Sequence, residues 1–176
     1  KILKDKKYDK VLEIGIGYTT PFIIEGLKKN DRVIKDINSD ENYFKKTYDP
    51  KLVLIDNFTE YSDISTLKDT VELNKSSKNI ELIKDNFEGK ADILKQKYSY
   101  FDFVFMDCGG VKEYDSFMKE YWNMCTGFVI FHFTYYKGMP NELHETIFQN
   151  LKGNINYLDI IEPHKFKQGS LTVLKK

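Results

Sequence analysis

The stretch Val11-Leu12-Glu13-Ile14-Gly15-Ile16-Gly17-Tyr18-Thr19-Thr20 sets an acid inside a short apolar run, with two glycines just beyond it. Two glycines let the main chain pass close to a ligand, because no Cβ intervenes. A carboxylate beside such a turn suits a ligand with an amino group or a positive centre and suits a pyrophosphate poorly. The dinucleotide fingerprint needs a third glycine three residues after the second, where this chain has Thr20. The lysine of a phosphate-binding loop is also missing. The competing account is a strand-to-helix turn that needs two glycines for its own shape.

Further reactive side chains stand at the ends of other apolar runs. Asp56 closes the run 51–56, Asp85 and Asn86 follow the run 79–84, and Asp107 follows the run 101–106. An acid at position 107 could hold an amino group, bind a metal, accept a proton or cap the next helix. His132 follows 128–131, where an imidazole could act as a general base near neutrality or sit in the core bonded to main chain. His164 lies among Glu162, Lys165, Lys167 and Gln168, a composition that suits a solvated turn or an acceptor contact. Tyr135 and Tyr136 could line a pocket or cage a cation. Most other aromatics, Trp122 included, are expected in the core or at an interface, which leaves room for a homodimer. Asp102 is expected as a solvated strand end, and His144 is given no role.

These residues must be positioned by elements that the apolar spacing predicts. Runs at 11–14, 51–56, 79–84, 101–106 and 127–132 read as strands. The run 101–106 is apolar on both faces, as expected of a strand inside a parallel sheet. Helices are predicted over 21–29 with Thr20 as cap and Pro21 in the first turn, over 66–73, over 90–98 and over 141–151. Tyr114, Phe117, Met118, Tyr121, Trp122 and Cys125 recur at spacings of three and four, an amphipathic helix. Strands at 155–161 and 170–174 are separated by eight residues, too few for a helical crossover, so they should pair antiparallel. The region 30–50, which includes Tyr43, Phe44 and Tyr48, reads as an insertion or lid with partial helix. Alternatively, 32–37 is itself the second strand, which would make Asp36 the acid at its end.

Composition narrows the function. The chain has 176 residues, 41% hydrophobic, with 27 basic and 27 acidic side chains. That suits a single α/β domain over 1–176 and argues against disorder. Zero net charge and a single arginine, Arg32, argue against a nucleic-acid partner. No membrane span or leader is expected, since lysines interrupt the first ten residues and 121–136 is too polar. Cys108 and Cys125 have no metal spacing, and a cytoplasmic setting is the default.

Glu13-x-Gly15-x-Gly17 after a first strand resembles motif I of the class I S-adenosylmethionine-dependent methyltransferases, and the later acids follow that family's order. The resemblance implies a Rossmann-like three-layer sandwich with a mostly parallel seven-stranded sheet and an antiparallel C-terminal strand. It implies S-adenosyl-L-methionine bound by Glu13, Gly15, Gly17 and Thr19 at its methionine end. Asp56 would hold the ribose, Asp85 and Asn86 would lie near adenine, and Asp107 and His132 would be catalytic at the acceptor. Metal-dependent relatives carry an Asp-Asn pair after the fifth strand, and this chain has His132-Phe133-Thr134 there. The expected reaction is therefore metal-independent methyl transfer to a small molecule. Departures are the 39 residues from Gly17 to Asp56, Cys125-Thr126-Gly127 before the fifth strand, and the lack of counterparts to the helices that often precede the first strand. The alternatives are a non-catalytic partner-binding domain of a larger assembly and, further off, a nucleotide-dependent oxidoreductase.

Overall fold

The computed structural model describes residues 9–40, 48–59, 78–162 and 169–176. The helix expected over 66–73, together with Tyr43, Phe44, His164, Lys165, Lys167 and Gln168, lies outside the described residues.

Side-chain alternation in the strands decides what packs on each face of the sheet. In β1 (Lys10–Ile14), Leu12 and Ile14 face one way while Val11 and Glu13 face the other. Leu12 and Ile14 join Val53 and Ile55 of β2 (Lys51–Ile55) in the larger core. That core is closed by α2 (Ala91–Tyr98), α3 (Val111–Glu120) and α4 (Glu142–Asn150). On the opposite face Val11, Leu52 and Leu54 pack with Ile24 of α1 (Thr20–Ser39). The result is three layers, helices on both sides of one sheet.

The sheet is completed by β3 (Ile80–Ile83), β4 (Phe101–Met106), β5 (Cys125–His132), β8 (Asn156–Ile161) and β9 (Ser170–Lys175). Its order is β3-β2-β1-β4-β5-β9-β8, and β9 is antiparallel to both of its neighbours. A short hairpin of β6 (Tyr135–Tyr136) and β7 (Met139–Pro140) follows β5. β1 pairs in parallel with β2 on one side and with β4 on the other. Chain connections diverge between β1 and β4, the place in such a sheet where ligands bind at the carboxyl ends of the strands.

Several expectations need correction. Residues 32–37 are helical, because α1 continues unbroken to Ser39, and Asp36 is therefore on an exposed helix face. Ile23, Ile24, Leu27, Ile34 and Ile37 keep a helical stripe turned inward. Thr19, not Thr20, precedes the first helical residue. Cys125 opens β5 instead of closing the preceding helix, which ends at Glu120 before a single 3₁₀ turn, Trp122–Met124. Asp102 is not a solvated end: it is 7% exposed and accepts the main-chain N–H groups of Asp9 (2.9 Å) and Lys10 (3.1 Å). It thereby ties the start of β1 to β4.

Candidate functional site

The turn after β1 is clamped from both sides. Gly15 has φ +88°, a left-handed conformation that favours glycine, and donates its N–H to Ile55 O at 3.0 Å. A Cβ on Gly15 would stand 2.1 Å from the carbonyl oxygen of Asp107. Asp107 N–H in turn reaches Ile14 O at 2.9 Å. Asp56, at the end of β2, accepts Ile16 N–H at 2.8 Å and Phe58 N–H at 2.6 Å. The carboxylate that the sequence offers to a ribose is thus already fastened to the turn, although each oxygen keeps a second lone pair. Gly17 differs: a Cβ there would meet nothing within 4 Å, so the space beside it is open. Its N–H is held by Thr20 Oγ1 at 3.2 Å.

Beneath this turn lies Glu13, with no exposed surface. Its Oε1 accepts the Thr19 hydroxyl at 2.9 Å, and its Oε2 is buried without a hydrogen-bond partner. Burial pushes the Glu13 carboxyl up to about 8; the hydroxyls of Thr19 and Thr20 oppose the rise, and Asp107 and Asp56 add to it. A buried polar atom left unpaired costs free energy, and an unmatched acceptor at a crevice is a position for a donor.

Asp107 also joins the other half of the site. Its Oδ1 is 2.6 Å from His132 Nδ1. A carboxylate accepts here, so Nδ1 carries the hydrogen of this bond. The imidazole stacks on Phe105, with centroids 6.4 Å apart and planes inclined by 28°. Tyr114 of α3 donates its hydroxyl to His132 O at 2.7 Å, which fixes the end of β5. The Cys108 thiol next to Asp107 is pushed up to about 12 by burial and the surrounding acids, so it stays a protonated thiol.

No family model matches the chain, and no curated protein matches it in sequence. Solved structures do match it in shape. An O-methyltransferase from Bacillus cereus, in complex with SAH, is 15% identical at a TM-score of 0.62, covering 96% of this chain and 74% of that one. Fibrillarin from Aeropyrum pernix, with natively bound S-adenosyl-L-methionine, is 12% identical at 0.55, covering 96% and 67%. The Methanococcus jannaschii fibrillarin, a pre-rRNA processing protein, is 13% identical at 0.58, covering 99% and 69%. The chain has the Rossmann-like fold of the class I S-adenosylmethionine-dependent methyltransferases. At these identities the likeness speaks for the fold, and the site has to be read from its own residues.

Within this methyltransferase fold, Glu13, Gly15, Gly17, Thr19, Asp56 and Asp107 converge around the β1 turn, and His132 joins through Asp107. Asp85 and Asn86 stand one strand further out, after β3. Asp85 accepts Asn86 N–H at 2.8 Å and pairs with Lys90 at 2.5 Å, which holds its carboxyl below the usual range. Asn86 Oδ1 accepts from Asn57 Nδ2 at 2.7 Å, linking the ends of β2 and β3. Asn57, Thr20 and Tyr114 are site residues that sequence reasoning missed. Asn57 could have been found as the neighbour of Asp56; no sequence signal marks Tyr114. Of the two tyrosines that could line a pocket or cage a cation, Tyr135 commits its hydroxyl to Asp159 (2.7 Å), while Tyr136 stays exposed.

Proposed function

We propose that this chain binds S-adenosyl-L-methionine and transfers its methyl group to a small molecule without a metal. The observation that carries the reading is the buried Glu13 carboxyl beside the glycine turn at the carboxyl end of β1. There the Oε2 of Glu13, without a partner among the described residues, lies beneath an open glycine turn, and the nearby Asp107 holds the imidazole of His132. The residues fit that cofactor. Glu13 offers an acceptor for its ammonium group, Gly17 leaves room for its tail, and Asp56, Asn57, Asp85 and Asn86 form a polar rim for its nucleoside. When bound, the cofactor supplies an electrophilic methyl on a sulfonium.

The chain's own part is alignment and proton handling. The clamped turn fixes where the methyl points, and proximity of this kind lowers barriers substantially. His132, held at Nδ1 by Asp107, is the base that takes a proton from the acceptor. Asp107 orients that ring. One oxygen of the Asp107 carboxylate is committed to His132. Among the described residues no three His, Cys, Asp or Glu side chains converge to hold a metal.

A small acceptor is favoured over RNA by charge. The rim carries Asp56, Asp85, Asp107 and Glu113, which a phosphodiester backbone would have to approach. Tyr18, next to Gly17, offers an exposed aromatic face to a compact substrate. We further propose a single domain over 1–176, with the region of about 30–50 as an insertion, and a cytoplasmic setting; Cys108 and Cys125 are free thiols. No helix of the described residues is long and apolar enough to cross a membrane.

Calorimetric titration with S-adenosylhomocysteine tests the cofactor, with NADH as the control. Binding of the thioether nucleoside and not of NADH is the expected result; the reverse would overturn the reading. Release of S-adenosylhomocysteine on incubation with a panel of small phenols and amines, and not with structured RNA, would support the acceptor class.

A further inference from the structure

Among the acids at the rim, Glu13 stands apart. The Asp56 oxygens each accept a main-chain N–H and Asp107 accepts from His132, but Glu13 is met only by the hydroxyls of Thr19 and Thr20, and among the described residues its Oε2 has no hydrogen-bond partner. Its surroundings are accounted for element by element. Thr19 and Thr20 face it from the start of α1, Asp56 from the end of β2 and Asp107 from the end of β4. Its register neighbours on β2 and β4 are Leu54 and Phe105. None of these brings a positive charge, and His132 enters the network through Asp107. An ionised carboxylate with no exposed surface, only neutral hydroxyls for donors and two acidic neighbours lacks what an ion needs when water is removed.

We propose that Glu13 carries a proton in the free protein and releases it when an ammonium group binds at Oε2, so that cofactor binding expels one proton to solvent. This rests on the cofactor reading above and goes beyond it. The step balances simply: the O–H bond of the neutral carboxyl breaks, its proton passes to the buffer, and the incoming ammonium keeps all three of its hydrogens. The charge that burial forbids in the free protein is supplied with a counter-charge by the ligand. Affinity then depends on pH through Glu13. It is weakened below the carboxyl's raised value of about 8 and levels off above it. Neutral Glu13 also gives the site selectivity, since a ligand lacking the positive charge gains nothing from ionising it.

The test is titration with S-adenosylhomocysteine at pH 7 in two buffers of very different ionisation enthalpy. We expect release of about 0.9 proton at pH 7, falling to about 0.1 at pH 9 for a carboxyl that titrates near 8. Affinity should rise about ninefold from pH 6 to 7 and about fivefold from pH 7 to 8. Glu13→Gln should bind more weakly, with no release attributable to this position and a flat profile. As a readout that needs no ligand, the carboxyl carbon resonance of Glu13 in the free protein should titrate near pH 8. Binding at pH 7 without proton release, or release unchanged in Glu13→Gln, overturns this inference and leaves the cofactor assignment standing. Absence of binding at every pH removes the cofactor assignment and the inference with it.

Discussion

Gly15 passes so close to Asp107 that a β-carbon on the glycine would sit 2.1 Å from the aspartate's carbonyl oxygen. The contact seats the first turn against the end of β4, and so sets how far Glu13 lies from the Asp107–His132 pair. Two glycines that look alike in sequence therefore have different jobs. Gly15→Ala combines a left-handed φ with a main-chain clash and should cost about 3 kcal/mol of stability or more. Gly17 has open space and no left-handed φ, so Gly17→Arg should unfold in urea at the wild-type midpoint. It should nonetheless lose S-adenosylhomocysteine affinity at least about a hundredfold, because the side chain fills the ligand's space. Urea unfolding and calorimetry on both variants check the division; equal destabilisation by the two would refute it.

Asp56 should show a mixed phenotype. It accepts the Ile16 and Phe58 N–H groups, so Asp56→Ala loosens the turn as well as the ligand rim. We expect a loss of about 1–3 kcal/mol in unfolding free energy and a comparable loss in S-adenosylhomocysteine binding. Asp36→Ala, on the exposed face of α1, should change neither by more than about 0.5 kcal/mol. A large binding defect in Asp36→Ala would move the ribose contact away from β2.

The difference between Asp56 and Asp36 shows what the sequence made legible. The strand β4 could be read from Phe101 to Met106 because both of its faces are buried, which leaves no polar alternation to confuse the period. The segment 32–37 was ambiguous because Val33, Ile34 and Ile37 satisfy a short strand as well as a helix stripe; exposed pairs such as Lys35–Asp31 at i, i+4 fit only the helix. Asp102 was misread because its partners, the amides of Asp9 and Lys10, are more than ninety residues away in sequence. The Asp107–His132 pairing was half legible. Both residues end adjacent strands, but the hydrogen bond depends on register, with Met106 opposite Phe131. The unpaired oxygen of Glu13 had no sequence signature, because satisfaction is a property of neighbours and not of residue type.

The Asp107–His132 pair should separate chemistry from binding. His132→Ala should lower kcat about 10²–10⁴-fold, the usual range for a lost general base, with S-adenosylhomocysteine affinity kept within about threefold. Asp107→Asn leaves the imidazole present without its ionised partner and should lower kcat while shifting the acidic limb of the pH–rate profile. That limb should be absent in His132→Ala. Steady-state kinetics over pH 5–9 with an acceptor from the small-molecule panel checks this. An unchanged kcat in His132→Ala would assign the imidazole a packing role against Phe105.

Glu13 should also leave its mark on stability in the absence of any ligand. Its carboxyl is raised from 4.5 to about 8 in the folded protein, mainly by burial. Between those values the folded state holds a proton that the unfolded chain has lost, so unfolding free energy falls as pH rises and is constant above about 8. Asp102, raised from 3.8 to about 6 by burial, acts in the same direction at lower pH. Between pH 6 and 8 the Glu13 contribution amounts to about 2–3 kcal/mol, and its loss in Glu13→Gln separates it from that of Asp102 and the histidines. Glu13→Gln keeps an acceptor for Thr19 and cannot ionise. It should flatten that segment of the curve and be more stable than wild type at pH 8.5. Urea midpoints measured every half unit of pH from 5 to 9 provide the comparison. A wild-type curve already flat from 6 to 8, or a Glu13→Gln curve with the same slope, would mean that Glu13 is ionised in the free protein and that its second oxygen has found another donor.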